Sequence, residues 1–448
     1  MGEQSVGRHR SGAQSERHRR RSTTLSDRRA LLHDDELGSG VIARPTAREA
    51  RDSDPHGHVH GHGHGASVRV DRRSALALWL ALAPMLLATV VGLVLLWPNA
   101  AELPERMPYF AEGAGSTHAT ASAAPDAETA LVPARLDDGT AIEVVVPPEA
   151  MGQIGDGDRL RVFDVPEAAG YGSSYVFVDF ARELPLALLA LVFVGVVVAV
   201  ARWRGLAALA GLAGAFVAIV GFALPALLSG QPALPVALVT ASVVMCIVLY
   251  VAHGFSTRTT TALLGTLIGL AITAAVAWAA TSGVRIMGTS SEESQLLFQQ
   301  FGLDLSDVFM CGLVLAGMGV LNDVTITQAS AVWELREVAP RASRRELFRR
   351  AMRIGRDHIA STVYTIAFAY VGAALPLLLV MWLTIAPFDL QLTTGEVVEE
   401  IVRTLVGSIG LVLAIPVTTA IAALVVPGAA DADAPVEAAA TPRLVASP

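Results

Sequence analysis

One side of a predicted helix between Gly312 and Glu334 carries the residues whose types and spacing could do chemistry. Small and polar residues recur there at alternating steps of four and three, which is the spacing of one helix face. They are Gly312, Ala316, Gly319, Asp323, Thr327, Ser330 and Glu334. The residues between them are mostly apolar, and an Asp at the centre of such a helix costs about 2.5–3.5 kcal/mol on membrane-insertion scales. We therefore expect Asp323 to face protein or water, where its carboxylate could bind a cation or carry a proton.

Further oxygen-bearing side chains accompany this carboxylate. Asn322, Thr327 and Ser330 could supply more oxygens to the same ion- or proton-binding site. The alternative is a helix contact, because small residues let a second helix approach closely and polar groups then hydrogen-bond across the interface. The sequence leaves both interpretations open.

A strongly charged segment follows, from Trp333 to His358. Its many Arg and Glu residues and its one apolar side are typical of an amphipathic helix lying on anionic lipid. Arg356 and Asp357 stand where the next apolar run begins. We expect them to form an inner gate or ion pair with Glu334 or with the intramembrane carboxylate.

A second candidate site is a histidine tract near the N-terminus. Its five imidazoles are spaced two residues apart: His56, His58, His60, His62 and His64. Neutral imidazole binds Zn²⁺, Ni²⁺ or Cu²⁺, so the tract is either a metal site or a low-complexity tail. No other metal site and no cofactor is predicted, because Cys246 and Cys311 lie in apolar runs and form no CxxC pair.

Enzyme signatures such as HExxH, GxSxG and GxxxxGK[ST] are missing from the chain. An intramembrane enzyme would need a second catalytic carboxylate or a nucleophile–base pair, and the sequence offers no such set. We therefore expect no enzymatic activity.

The composition predicts the elements that must position these residues. Of 448 residues, 53% are hydrophobic and 17% are charged, against roughly 25% charged in soluble domains. Apolar runs long enough to cross a bilayer recur along the chain. We predict an all-α polytopic membrane helix bundle of about eight transmembrane helices, whose first partner is the lipid bilayer and which binds no nucleic acid. The spans are predicted at 75–97, 184–201, 205–228, 233–252, 261–282, 307–327, 361–386 and 399–426.

The other segments differ in composition. Residues 1–74 and 428–448 read as disordered tails. Residues 98–182 predict a linker and a small β-rich domain of about four strands between the first and second helices. The strands are predicted at 131–136, 141–146, 159–165 and 175–180. A seven-helix domain then occupies 183–427, and a short external helix or a plain loop begins near Ser290.

The arginines predict the orientation. The chain has 33 basic residues, all of them Arg. With both ends inside, only seven lie on external segments: Arg106, Arg135, Arg159, Arg161, Arg182, Arg285 and Arg403. This positive-inside bias predicts cytoplasmic termini and an extracytoplasmic β-rich domain.

The run from Gly317 to Ser330, GMGVLNDVTITQAS, resembles the central signature of the YibE/YibF-like membrane proteins. Asp323, Val324 and Ser330 match that signature, as does Glu334 beyond the run. Later blocks are also similar to the family, at 346–348, 355–359, 369–372, 375–378, 400–403 and 407–411. The likeness extends over roughly residues 130–427. It implies a multi-pass, often bacterial, membrane protein and carries over no catalytic or ligand residue.

We expect a permease or channel-like component for a small solute or ion in the bacterial cytoplasmic (inner) membrane, with Asp323 as its binding group. The alternative is a non-transporting scaffold or regulator that binds an envelope partner through its external domain. A homo-oligomer and an envelope protein are the partners left open.

Overall fold

A computed structural model describes residues 70–108, 114–165 and 174–427. The histidine tract and nearly all of both predicted tails lie outside the described residues. The described part is mostly helical, with one small β-barrel between the first two helices.

Within the described residues, six helices are long and apolar enough to cross a membrane, and a bent pair makes a seventh if it forms one span. The six are α1 (Arg72–Leu95), the run that begins with α2 (Glu183–Ala218), α4 (Ala233–His253), α5 (Thr257–Val284), α7 (Leu305–Val338) and α11 (Gly395–Val425). The bent pair is α8 (Arg344–Ala373) with α9 (Leu375–Leu383), which meet at 64°. Two short helices complete the set, α6 (Glu292–Phe301) and α10 (Phe388–Leu392).

The count is lower than the predicted eight because two predicted spans form one helical run. After α2 the chain continues through a π-helical segment (Ile219–Ala223) into α3 (Leu224–Leu228), so the run is 46 residues long. It is interrupted at Arg202, whose φ of 54° and ψ of −133° are not helical. A straight helix of this length would measure about 69 Å, more than twice the hydrocarbon core of a bilayer.

The charged segment from Trp333 to His358 is not one continuous helix, so the prediction of a single amphipathic helix over this segment is wrong. It forms the end of α7 and the beginning of α8, joined by a turn at 339–343. Ser343 caps α8 by accepting a hydrogen bond from the Glu346 amide. Leu347 and Ala351 are completely buried, because the apolar side of α8 packs on the bundle.

The close helix contacts lie at the centre of the bundle, between α5, α7 and α11. Gly265 and Gly269 of α5 form a small-residue pair of the kind that brings membrane helices together. A Cβ atom at Gly269 would lie 2.9 Å from the Cβ of Ala414 on α11. Buried hydroxyls add hydrogen bonds to this core, and the Oγ1 atoms of Thr266 and Thr325 are 2.6 Å apart.

The described helical part also contains the short helix that was predicted to begin near Ser290. Helix α6 begins after Ser291, whose side chain accepts a hydrogen bond from the Ser294 amide. It ends at Gly302, which takes the left-handed conformation that favours glycine.

The β-rich domain is a closed five-stranded barrel with strand order β1-β2-β3-β5-β4. The strands are β1 (Gly115–Ala121), β2 (Leu131–Leu136), β3 (Ala141–Val145), β4 (Arg159–Asp164) and β5 (Tyr175–Phe180). Strand β3 pairs with β5 in parallel, and every other neighbouring pair is antiparallel. This is the strand order of the Greek-key barrels called OB folds. The core is fully buried and includes Val132, Val144, Leu160 and Val162.

Four of the five strands were predicted, and β1 was missed. Its sequence, GSTHATA, has no large apolar residue, so it lacks the alternation that marks a half-buried strand. Two side chains of the barrel contact Glu183, the first residue of α2. The Glu183 carboxylate lies 3.2 Å from His118 Nε2 and forms an ion pair with Arg161.

Candidate functional site

Asp323 lies on the most exposed face of α7. It stands 18 residues after Leu305, the first residue of this 34-residue helix, which is about 27 Å along the helix axis. Its side chain is 72% exposed, and its Oδ2 lies 3.8 Å from Nε2 of His358 on α8. The structure therefore brings the predicted carboxylate next to an imidazole from a neighbouring helix.

His358 was not among the residues singled out in the sequence. Its Nε2 is buried and has no hydrogen-bond partner among the described residues. It is one of only two histidines in residues 174–427. Its rarity there was the available signal, but the sequence does not show which residue of α8 faces α7.

The other predicted oxygen-bearing residues take different positions around α7. The Thr327 hydroxyl donates to the Asp323 carbonyl oxygen at 2.7 Å, so it lies one turn further along the same face. Ser330 is half-buried on that face, one turn beyond. Asn322 is half-buried, with its Oδ1 buried and without a hydrogen-bond partner in the described part of the chain.

The predicted inner ion pair is not formed. Glu334, Arg356 and Asp357 are all exposed, and none of them makes an ion pair among the described residues. The reason is the angular position on α8. Gly355 is buried against the bundle, so the next two residues are turned away from α7 at about 100° per residue.

The small residues that precede Asp323 on this face do not contact another helix among the described residues. A Cβ atom at Gly312 or Gly319 would meet nothing within 4 Å, and Ala316 is exposed. In the described part of the chain, these small side chains therefore do not pack against a second helix. They lie on an open face of α7 instead.

A cavity of about 610 Å³ begins at the Gly312 end of this stripe. Gly312 lies in its wall, together with the end of α8 and the starts of α6 and α11. Charged groups gather there, with Glu399, Glu400 and Arg403 from α11. Arg403 lies 3.6 Å from the Glu400 carboxylate and stacks over the Phe309 ring at 5.2 Å.

An apolar cluster separates this cavity from His358. Ile366 of α8 packs with Val324 of α7 and with Leu411 and Ile415 of α11, and all four are buried. Along α8, Ile366 stands between Ala373, which lines the cavity, and His358. Along α8, charged groups of the cavity therefore lie on one side of this buried cluster and the Asp323–His358 pair lies on the other.

Within the described residues, no group of three or more His, Cys, Asp or Glu side chains is arranged to hold a metal ion. The pair of Asp323 and His358 is a two-residue arrangement. The predicted metal site in the histidine tract lies outside the described residues.

Comparison with known proteins agrees with the helical part of the chain. The family described as YibE/F-like protein matches residues 189–428. This range begins after the barrel, so the matched part is the helical domain. No curated protein and no solved structure matches the chain. On this match, and with Asp323 and its flanking signature inside the matched range, the chain belongs to the YibE/F-like protein family.

Proposed function

We propose that this protein is a permease or channel-like component for a small solute or ion, with Asp323 as the ion- or proton-binding group. The observation that carries the proposal is the Asp323–His358 pair, 3.8 Å apart, on an open face of a helix long enough to cross a membrane. Ionisable groups at membrane depth mark ion and proton pathways more than they mark structural contacts.

The exposure of Asp323 would be costly if this face of α7 met lipid. An ionised Asp facing acyl chains costs about 2.5–3.5 kcal/mol on insertion scales, and the carboxylate is 72% exposed in the single chain. A water-lined groove removes this cost without a protein partner. Gly319, about one turn before Asp323 on the same face of α7, has open space beside it that leaves room for such a groove.

The arrangement of layers also supports a pathway. The cavity next to Gly312 contains several carboxylates and one guanidinium. The buried apolar cluster around Ile366 comes next along α8, and the Asp323–His358 pair lies on the far side of that cluster. Apolar constrictions of this kind gate channels by excluding water. We assign Ile366, Leu411 and Ile415 as the closed gate.

The proposal adopts a multi-pass topology of eight spans in the bacterial cytoplasmic membrane. The break at Arg202 would divide the 46-residue run into two spans, and the bent α8–α9 pair would count as one. Both termini then lie in the cytoplasm and the barrel lies outside, in keeping with the arginine distribution. The role is not enzymatic.

The test is ion flux in proteoliposomes. The exchange Asp323→Asn should abolish flux while leaving the protein folded, because it removes the charge and keeps the size of the side chain. Asp357→Asn is the matched control, since Asp357 is an exposed acid on α8 that makes no ion pair among the described residues. Flux by the Asp323→Asn protein at the wild-type rate would refute the proposal.

The alternative is a scaffold or regulator, and the barrel favours it. The barrel has its own buried core and is fastened to α2 through Glu183, so a bound envelope protein could act on the helices. The two roles differ in water access to the groove. A cysteine placed at Thr327 should react with a small aqueous thiol reagent in a permease and should stay protected if another chain covers this face.

A further inference from the structure

We infer that the ligand of the Asp323–His358 pair is a divalent first-row transition metal ion such as Zn²⁺, held between the imidazole and the carboxylate. This rests on the proposed function and names its substrate class.

The distance between His358 and Asp323 suits a bound metal ion. At 3.8 Å, His358 Nε2 and Asp323 Oδ2 are too far apart for a hydrogen bond. Bonds from Zn²⁺ to His nitrogen and to carboxylate oxygen are about 2.0–2.2 Å each, so one ion fits between these atoms. Ideal tetrahedral geometry would need a separation of roughly 3.4 Å, which is a closure of about 0.4 Å for two side chains.

The Nε2 atom of His358 is available as a metal ligand. His358 Nε2 is buried and has no hydrogen-bond partner among the described residues. A buried polar atom without a partner is unusual in proteins and points to an absent ligand. A neutral imidazole nitrogen is a good ligand for Zn²⁺ and its neighbours, whereas Mg²⁺ and Ca²⁺ take oxygen ligands.

The Asp323–His358 pair is open to further ligands such as water. Only two charged or imidazole groups meet here, and Asp323 is largely exposed. Structural zinc sites are closed by four protein ligands. A site of two protein ligands completed by water binds less tightly, and a conducted ion must bind weakly enough to leave. The Thr327 hydroxyl, one turn away on the same face, could add a weak oxygen ligand.

The sequence carries a second set of ligands of the same chemical class. Five imidazoles stand two apart between His56 and His64, outside the described residues. In the topology proposed above this tract is cytoplasmic. It is an independent sequence feature that suits a protein handling the same metal ions.

The experiment measures Zn²⁺ binding by titration calorimetry on the full chain in detergent. All five histidines of the tract are replaced by Ser so that the remaining site is read alone, and Mg²⁺ serves as the hard-cation comparison. In this background, His358→Gln and Asp323→Asn should each raise the Kd by about tenfold or more, since each removes one of two ligands. His253→Gln and Asp357→Asn are the matched controls and should leave the Kd unchanged.

Flux measurements separate this inference from the proposed function. Zn²⁺ uptake into proteoliposomes that is lost in both ligand variants and kept in both controls supports the inference. Proton or sodium flux that depends on Asp323, together with no Zn²⁺ binding, overturns the metal assignment and leaves the permease intact. Zn²⁺ binding that survives His358→Gln also overturns it, whereas flux of no ion at all overturns both.

Discussion

Gly410 of α11 is a position at which one added methyl group should destabilise the helix bundle. A Cβ atom there would overlap Oγ1 of Thr273 on α5 and would lie 3.1 Å from its Cβ and 3.3 Å from its Cγ2. Thr273 cannot turn away easily, because its hydroxyl donates to the Gly269 carbonyl oxygen at 2.9 Å and its β-branch restricts χ1. We expect Gly410→Ala to strain the α5–α11 contact.

Gly407, three residues earlier on α11, is the reference for the expected loss of stability. A Cβ atom at Gly407 would meet nothing within 4 Å. Both exchanges gain the same helix propensity of up to about 1 kcal/mol, so the gain cancels in their difference. Overpacking costs about 1–3 kcal/mol, which predicts an unfolding constant about 5- to 150-fold larger for Gly410→Ala than for Gly407→Ala.

The assay is reversible unfolding by SDS in mixed micelles, followed by circular dichroism. A second exchange, Thr273→Ala, removes two of the three crowding atoms and should recover most of the loss in the double variant. Equal stability of Gly410→Ala and Gly407→Ala would refute the reasoning. So would a double variant that is as unstable as the single one.

Three further predictions concern the gate and the barrel. Ile366→Ala should open the buried apolar cluster and raise ion leak in proteoliposomes, whereas Val371→Ala, an exposed position on the same helix, should not. Leu160→Ala should cost the barrel about 2–5 kcal/mol and increase amide exchange in its strands while that of α7 stays unchanged. The Thr140 amide lowers the pKa of Asp138 by donating to its carboxylate at 2.8 Å. This stabilisation is present above the ordinary Asp pKa and is lost as the pH falls through the lowered value, so exchange at Thr140 should rise in acid relative to other turns.

Much of the helical fold could be predicted because long apolar runs leave few alternatives. What the runs could not show is where a helix continues into a charged segment. Helix α7 extends to Val338 and α8 begins at Arg344, since the buried side of α8 is narrow and its other sides tolerate charge. The break at Arg202 is likewise a property of one residue's backbone, and composition does not report it.

The candidate site was half predictable. A lone Asp among apolar residues can be found by its cost in lipid, so Asp323 could be named. The approach of His358 depends on the rotation of α8 about its axis, which is set by the buried Gly355. For the same reason the expected pairing of Arg356 and Asp357 was wrong. A helix contact was one of two interpretations of the small residues of α7, but glycines that closely approach a neighbouring helix lie in α5 and α11, for example Gly269 and Gly410.

The barrel's ring of strands restricts how anything can attach to it. A sheet with an exposed border can recruit an extended peptide as an extra strand, but closure removes such borders. The seam between β3 and β5 is the thinnest part of the ring, with two paired positions, Val144 with Tyr175 and Val145 with Val176. An incoming peptide would have to unzip this seam first. If the barrel binds an envelope protein, as in the alternative function, we expect the contact to use side chains on its outer wall and turns, and mutations there should weaken binding without unfolding the barrel.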